Sequence, residues 1–288
     1  MSQFHHHVLF HSPLVSVTEV SCRPNEPGCS GEEQQERSTI VFPRRGVFVR
    51  HLGRRRYVAD ASQVLFFQTG EVQRVSHPVA GGDDCTSLHF APAALDEALR
   101  RWAPGAADRP ERPFAEPAAP LSGPAAARLR RLRHALRIGT LDLEAEEMAL
   151  ALLNVALAGA PRPRRRAPPS ARHAELAESA RLYLAGRFQQ RLTLDRVAWA
   201  VRSSPYHLAR VFRRHAGLPL HQYLNRLRLR EALERLDGGE KDLSRLALQT
   251  GFSSHSHFTN AFRREFGAPP SELREPSKIL QAARRRAS

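Results

Sequence analysis

Lysine is almost absent from this chain, and arginine supplies nearly all of the 44 basic residues. Arginine's planar fork suits two-point contact with phosphate and guanine. An Arg-, Ala- and Pro-rich composition is also what a GC-rich coding sequence produces, so composition alone does not separate the two. Cysteine is scarce too: Cys22, Cys29 and Cys85 are the whole supply. An odd, scattered set excludes a disulfide-stapled secreted scaffold. Long apolar runs are missing. The best candidate, Met148 to Ala160, is interrupted by Asn154 and falls short of the roughly 18–20 residues a membrane span needs. The first residues are His-rich, not a basic end followed by an apolar stretch, so no secretory signal is expected. These absences predict a soluble, cytoplasmic protein with no membrane partner.

Charge is unevenly placed. Residues 1–159 carry 18 basic and 18 acidic side chains, whereas residues 160–288 carry 26 and 11. The net +15 therefore belongs to the second part alone. A neutral part joined to a basic part implies divided labour, with the basic part directed at a polyanion such as nucleic acid.

From about Val8 to Phe90, short β-branched and aromatic runs alternate with turn residues. Thr39–Phe42, Val47–His51, Tyr57–Ala59, Val64–Phe67, Val72–Ser76 and Thr86–Phe90 are the expected strands. Their spacing of roughly 8–12 residues suits a small antiparallel sandwich or barrel. A helix is expected over Pro92–Trp102, an irregular crossing segment over Ala103–Pro120, and helices over Pro124–Ile138 and Leu143–Leu157. The last is apolar around much of its circumference and must be covered by its own domain or by a partner subunit. Pro161 to Pro169, four arginines among prolines, reads as a linker. Beyond it the chain reads as helical, with one helix over Arg172–Arg187 and a long one over Leu220–Leu236. The expected organisation is residues 1–159 as an effector-sensing or dimerising domain (β-rich over 8–90, helical over 92–158), a linker over 160–171, a helical domain over 172–275, and a basic tail over 276–288.

A repeat organises the helical part. Leu194, Arg196 and Ala198 recur 49 positions later as Leu243, Arg245 and Ala247. Leu208, Phe212, Arg213, Arg214, Gly217 and Pro219 recur 50 positions later as Phe258, Phe262, Arg263, Arg264, Gly267 and Pro269. Two helix-turn-helix units, over 193–217 and 242–267, would differ in this way if the second had one extra residue in its turn. In the first, Thr193 caps a short helix, Ser204-Pro205 starts the next, and Gly217 ends it. In the second, Gly251-Phe252-Ser253 forms the turn and Gly267 ends the second helix. Two such units in a basic segment point strongly to DNA.

This region resembles the DNA-binding domain of the AraC/XylS family of transcription regulators. The resemblance covers about residues 172–275 and is sharpest over Gly251-Phe252-Ser253-Ser254-His255-Ser256-His257-Phe258-Thr259-Asn260-Ala261-Phe262-Arg263-Arg264-Glu265-Phe266-Gly267. It implies two reading helices in successive major-groove segments, about 34 Å apart, on double-stranded DNA. Tyr206, Ala209 and Arg210 fall at the base-reading positions of the first unit. His255, Ser256, Thr259 and Asn260 fall at those of the second. Arg210 has the chemistry to pair with guanine, and Asn260 with adenine. Arg213, Arg214, Arg263 and Arg264 read as phosphate contacts. Arg202 stands where the family often has glycine, and a left-handed arginine would cost about 1 kcal/mol.

The resemblance also implies a separate sensing or dimerising domain, often a cupin-like β-barrel, here with helices 124–157 as a dimerisation appendage. An α+β chain of two domains is therefore expected, taking a small-molecule effector, forming a homodimer and meeting RNA polymerase at promoters or operators. The competing reading is a cupin-type metal-binding protein or enzyme fused to a DNA-binding domain. Against it, the spacing of paired histidines such a site needs is missing, and His51, His77 and His89 stand apart. His5-His6-His7 with His11 is expected to lie in an unstructured terminus. No catalytic residue, metal ligand or cofactor is assigned.

Overall fold

The computed structural model describes residues 3–24, 30–102, 114–159 and 170–273. The expected linker up to residue 169 and the basic tail fall outside them, as does Cys29, whereas Ser170 and Ala171, placed in the linker, cap and open a helix. In chain order come β1 (Gln3–His11), β2 (Val15–Arg23), β3 (Glu33–Gln34), β4 (Thr39–Leu52), β5 (Arg55–Asp60), β6 (Gln63–Phe67), β7 (Val72–Ser76) and β8 (Asp83–Phe90). Next are α1 (Pro92–Trp102), β9 (Ala118–Pro120), α2 (Gly123–Ile138) and α3 (Asp142–Gly159). The rest is helical: α4 (Ala171–Ala185), α5 (Leu194–Ala200), α6 (Pro205–Ala216), α7 (Leu220–Asp237), α8 (Leu243–Gln249), α9 (His255–Phe266) and α10 (Pro270–Leu273). A sheet-rich N-terminal part thus precedes a helical C-terminal part.

The strands pair antiparallel along the path β1-β2-β8-β4-β6-β9, and β5 and β7 pair with the far half of β4. Long β4 slips register between Pro43 and Arg45 against β8. A bulge at this kind of place lets one strand bend from one layer into the next. The sheet does not close into a barrel. Its ends, β1 and β9, each keep one partner strand; α2 packs beside β1 and α3 beside β9, so helices stand where closing strand pairs would be. The N-terminal histidines are not loose either. His5, His6 and His7 lie in β1, opposite Ser21, Val20 and Glu19 of β2. Backbone pairing forms that strand without an apolar pattern to announce it. The crossing segment likewise ends in a strand, β9, whose Ala118 to Pro120 pair with Leu65 to Gln63.

Period-two alternation sorts each strand between two cores. Ile40 and Phe42 of β4, Val64 and Phe66 of β6, and Leu88 and Phe90 of β8 face the helices. Val41, Leu65, Phe67 and Cys85 face the second layer with Phe48 and Ala59. The helix-facing core does not stop at the N-terminal part. Leu129 and Leu132 of α2 and Leu152 and Leu153 of α3 continue into Leu229 and Leu233 of α7 and Phe258 and Phe262 of α9. The apolar circumference of α3 is buried largely within its own chain, through Ala145, Ala149, Leu152, Leu153, Ala156 and Leu157.

Ion pairs seal the same junction. Arg133 of α2 is buried, 2.8 Å from Glu19 of β2, 3.0 Å from Glu234 and 3.3 Å from Asp237 of α7. Arg44 reaches Glu234 at 2.9 Å, and Arg130 reaches Asp237 at 3.3 Å. A second junction ties β5 to the first helical unit. The Tyr223 hydroxyl donates to Asp60, and the Val58 N–H donates to Glu178 of α4 at 2.6 Å. His215, in the last turn of α6, sits 3.0 Å from the same carboxylate.

Burial pushes the Glu19 carboxyl up, but Arg133, Arg44 and Arg137 outweigh it and hold it below its ordinary value of 4.5. Burial likewise raises Glu178, and Arg181, His215 and the Val58 N–H more than reverse this. A carboxylate depressed in the fold stabilises it fully above its unfolded pKa and loses that contribution as pH falls through the folded one. The urea midpoint should therefore drop between about pH 6 and about pH 3, and Glu178→Gln should make that drop shallower. A midpoint level over that range would contradict this account.

Candidate nucleic-acid interface

The two helical units are built alike from local capping chemistry. Thr193 accepts the Arg196 N–H at 3.2 Å to start α5, and Ser204 accepts the His207 N–H at 3.3 Å to start α6, with Pro205 in its first turn. Asp242 accepts the Arg245 N–H at 2.8 Å ahead of α8, and Ser254 accepts the His257 N–H at 3.2 Å ahead of α9. Left-handed Gly217 and Gly267 end α6 and α9. Residues 201–204 separate α5 from α6, and residues 250–254 separate α8 from α9. The extra residue implied by the repeat therefore lies in the second turn.

The two turns solve one backbone problem differently. Arg202 is the one non-glycine residue with positive φ among the described residues, at 53°, and its repeat counterpart Gly251 has φ 93°. At Gly251 a Cβ would lie 2.8 Å from Arg228 Nε and 2.9 Å from the Gln189 carbonyl. Glycine is required there for space as well as for φ. At position 202 the side chain is exposed and only the φ penalty applies. Arg202→Gly is expected to relieve about 1 kcal/mol of backbone strain, partly offset by the extra freedom of the unfolded chain. Thermal unfolding of the two proteins checks it, and a midpoint lowered by the substitution would refute it.

Each second helix buries one stripe and exposes the other. Leu208, Val211, Phe212 and Ala216 of α6 are inward, as are Phe258, Phe262 and Phe266 of α9. Tyr206, Arg210, Arg213 and Arg214 are exposed on α6; His255, Ser256, Asn260, Arg263 and Arg264 are exposed on α9. Ala209 is half-buried. Thr259 departs from the rest, because its hydroxyl oxygen is buried without a partner; its neighbours Ser256 and Asn260 carry the outward face. Tyr206, Ala209, Arg210, Arg213 and Arg214 line one groove together with Leu220 and His221 at the start of α7.

Arginine use divides along the same line. Among the described residues, no carboxylate lies within ion-pair distance of Arg210, Arg213, Arg214, Arg263 or Arg264. The arginines of α7 are committed inward. Arg228 donates to the Phe188 and Gln190 carbonyls at 2.7 and 2.8 Å, holding the loop before α5. Arg230 donates to the Leu121 carbonyl at 2.8 Å and meets Glu265 at 3.1 Å, and burial pushes its pKa down to about 10. The long helix thus spends its charge on fixing the two units, and the second helices keep theirs for an outside anion. Each first helix also leaves a large apolar residue in solvent at matching positions, Trp199 (83% exposed) and Leu248 (64%), 49 positions apart, and α5 exposes Leu194 as well.

Residues 197–276 match the family model described as a helix-turn-helix domain. The matched span holds both second helices of the region that resembles the AraC/XylS helix-turn-helix family. The chain is 42% identical over 86 residues to the HTH-type transcriptional regulator GlxA of Rhizobium meliloti, covering 29% of this chain and 26% of that protein. It is 40% identical over 81 residues to the HTH-type transcriptional activator RhaS of Escherichia fergusonii, covering 28% of each. It is 29% identical over 97 residues to the bifunctional transcriptional activator/DNA repair enzyme AdaA of Bacillus subtilis, covering 34% of this chain and 46% of that protein. The chain thus spans between about a quarter and a half of the relatives it matches. No helix among the described residues is long and apolar enough to cross a membrane.

The N-terminal part holds an arrangement that sequence spacing did not reveal. A pocket of about 410 Å³ lies between the two sheet layers, walled by Phe48, Phe67, Val20 and Val41. His77 does not stand apart there. Its Nε2 lies 2.6 Å from Asp83, and the Cys85 thiol lies 3.1 Å from the other oxygen of that carboxylate. Cys22 completes the group from β2. Burial, then the nearby Asp83 carboxylate, pushes the Cys22 thiol up to about 11 and the Cys85 thiol well above its ordinary value. The readable signal was His77, Asp83 and Cys85 within nine residues; Cys22 needed the β2–β8 register. His51 and His89 are engaged elsewhere, with Ser76 at 2.8 Å and the Ser38 carbonyl at 2.9 Å.

Proposed function

We propose that this protein is a sequence-specific transcription regulator, not an enzyme, that binds double-stranded promoter or operator DNA in the cytoplasm as a homodimer. The observation that carries this reading is the pair of capped second helices, each with a polar outer face and guanidiniums free of internal partners. Tyr206, Ala209, Arg210, His255, Ser256, Thr259 and Asn260 are the base readers in this reading, with Thr259 contributing its methyl group or a rotated hydroxyl. Arg213, Arg214, Arg263 and Arg264 hold phosphates. Trp199 and Leu248 offer RNA polymerase an apolar contact. The pocket between the sheet layers takes the effector, since its volume suits a small ligand. Its signal reaches α6 through Val58, Glu178 and His215.

The test compares two arginines. Arg210→Ala should cost about 1–3 kcal/mol on the preferred site and relax preference at one base pair. Arg263→Ala should weaken all sequences alike and lower the salt slope by about one. The preferred site comes from selection out of random duplex, and a regulator should favour it by roughly 10³ or more over random DNA. Equal loss of affinity for every sequence in both variants would remove Arg210 from the base readers. No enrichment in the selection would sink the reading as a specific regulator.

A further inference from the structure

We propose that Cys22, His77, Asp83 and Cys85 form a binding site for a thiophilic divalent cation of the zinc class. The proposal gives the effector pocket a chemical identity, and its readout is metal binding alone, so it stands or falls separately from DNA recognition. The backbone builds the cluster. Asp83 and Cys85 are two apart on β8 and share a face, and Cys22 lies directly opposite Asp83 on β2. His77 enters from the turn after β7. Donor atoms of Cys22, His77 and Asp83 all lie within 4.8 Å of one another, and Cys85 is 3.1 Å from Asp83.

A tetrahedral zinc ion with bonds of about 2.0–2.3 Å needs its donors roughly 3.3–3.8 Å apart. Side-chain shifts of about an ångström would bring Cys22, His77 and Asp83 to that spacing, and Cys85, held 3.1 Å from Asp83 but outside that trio, would close the shell by a larger rotation of its thiol. Two sulfurs, an imidazole and a carboxylate are a donor set for zinc and its soft neighbours, not for magnesium or calcium, which prefer oxygen. All four side chains are buried and all four line the pocket, whose wall mixes apolar residues such as Phe48 and Phe67 with polar ones such as His6 and Gln73, so an ion entering it meets the four together. The cation would replace the two thiol protons, which leave to solvent, and would lie between groups that now hydrogen-bond to one another. The turn bearing His77 also carries Val79, which packs with Leu182 and Ala185 of α4. The cluster and the seat of the helical region therefore share one short segment.

The experiment uses the full chain carrying Cys29→Ser, so that the third thiol supplies no ligand. Zn²⁺ is titrated in competition with a chromophoric chelator, and Co²⁺ is bound for its spectrum. One equivalent of metal is expected, with a thiolate-to-cobalt charge-transfer band and the visible absorption of tetrahedral cobalt. Cys22→Ser and His77→Ala should each weaken binding beyond the roughly 10–100-fold that loss of an outer-shell partner costs. Replacing His5 and His7, which alternate with the pocket-lining His6 on β1, by alanine should leave binding unchanged. Should a cluster variant fail to fold, the parent chain still decides: Zn²⁺ must protect two thiols from alkylation. Binding that follows His5 and His7, survives both cluster variants, or lacks the thiolate band would overturn the proposal.

Discussion

Arg133→Ala is expected to lower the stability of the whole chain by about 3 kcal/mol, near the lower end of what breaking a buried ion pair costs. Arg133 is 1% exposed and joins β2, α2 and α7 through three carboxylates. Its loss would leave those carboxylates buried with fewer cations. The lower end is chosen because each keeps another partner. Glu19 retains Arg137 at 2.8 Å, Glu234 retains Arg44 at 2.9 Å, and Asp237 retains Arg130 and Arg137 at 3.3 and 3.2 Å. Arg133→Met separates charge from bulk, since methionine fills much of the space without the guanidinium. Urea unfolding should show both variants destabilised, with alanine worse. If Arg133→Met matched the parent, packing and not ion pairing would hold this junction. Because one core runs from α2 into α9, both variants should still unfold in a single transition seen alike by sheet and helix probes.

Replacing Arg213, Arg214, Arg263 and Arg264 together by alanine should nearly abolish DNA binding at physiological salt. If each holds one phosphate, the slope of log affinity against log salt should flatten by roughly 3–4. The loss should be similar on every sequence, because phosphate contacts position the protein without reading bases. Stability should hardly change, since all four side chains are exposed and, among the described residues, have no carboxylate partner. Affinity measured on specific and random duplex over a salt series checks this. An unchanged slope would place the phosphate contacts elsewhere, and a melting point well below the parent's would give these arginines a structural role instead.

Local chemistry was legible in the sequence because it acts over a few residues. Ser204-Pro205, Thr193, Gly217 and Gly267 announced their caps, and the helix over Pro92–Trp102 was expected at the bounds it has. The doubled core residues announced two like units, and the 49-to-50 change in offset located the longer turn. Alignment of Arg202 with a family glycine raised the question of a left-handed backbone there, and the structure answers it with φ 53°. Strands without an apolar pattern were not legible. β1 forms across His5 to His7 because β2 offers backbone partners, and β9 forms within a Pro- and Ala-rich stretch because β6 does. The arginines of α2 gave no sign of their fates either. Arg130 and Arg133 are buried among acids of α7, whereas Arg137 on the same helix stays partly exposed.

The sequence by itself determined the tandem helix-turn-helix units, their basic character and the division into a strand-rich and a helical part. Each of these depends on residue type and short spacing, which the chain carries with it. The tertiary structure alone decided that the sheet stays open, that the second unit shares its core with α2 while the first keeps its own around Phe212 and Leu227, and that Cys22 meets His77, Asp83 and Cys85. Those outcomes join residues tens to hundreds of positions apart. They are set by strand register and by which faces remain to be buried once the local elements exist, and no short-range pattern encodes either.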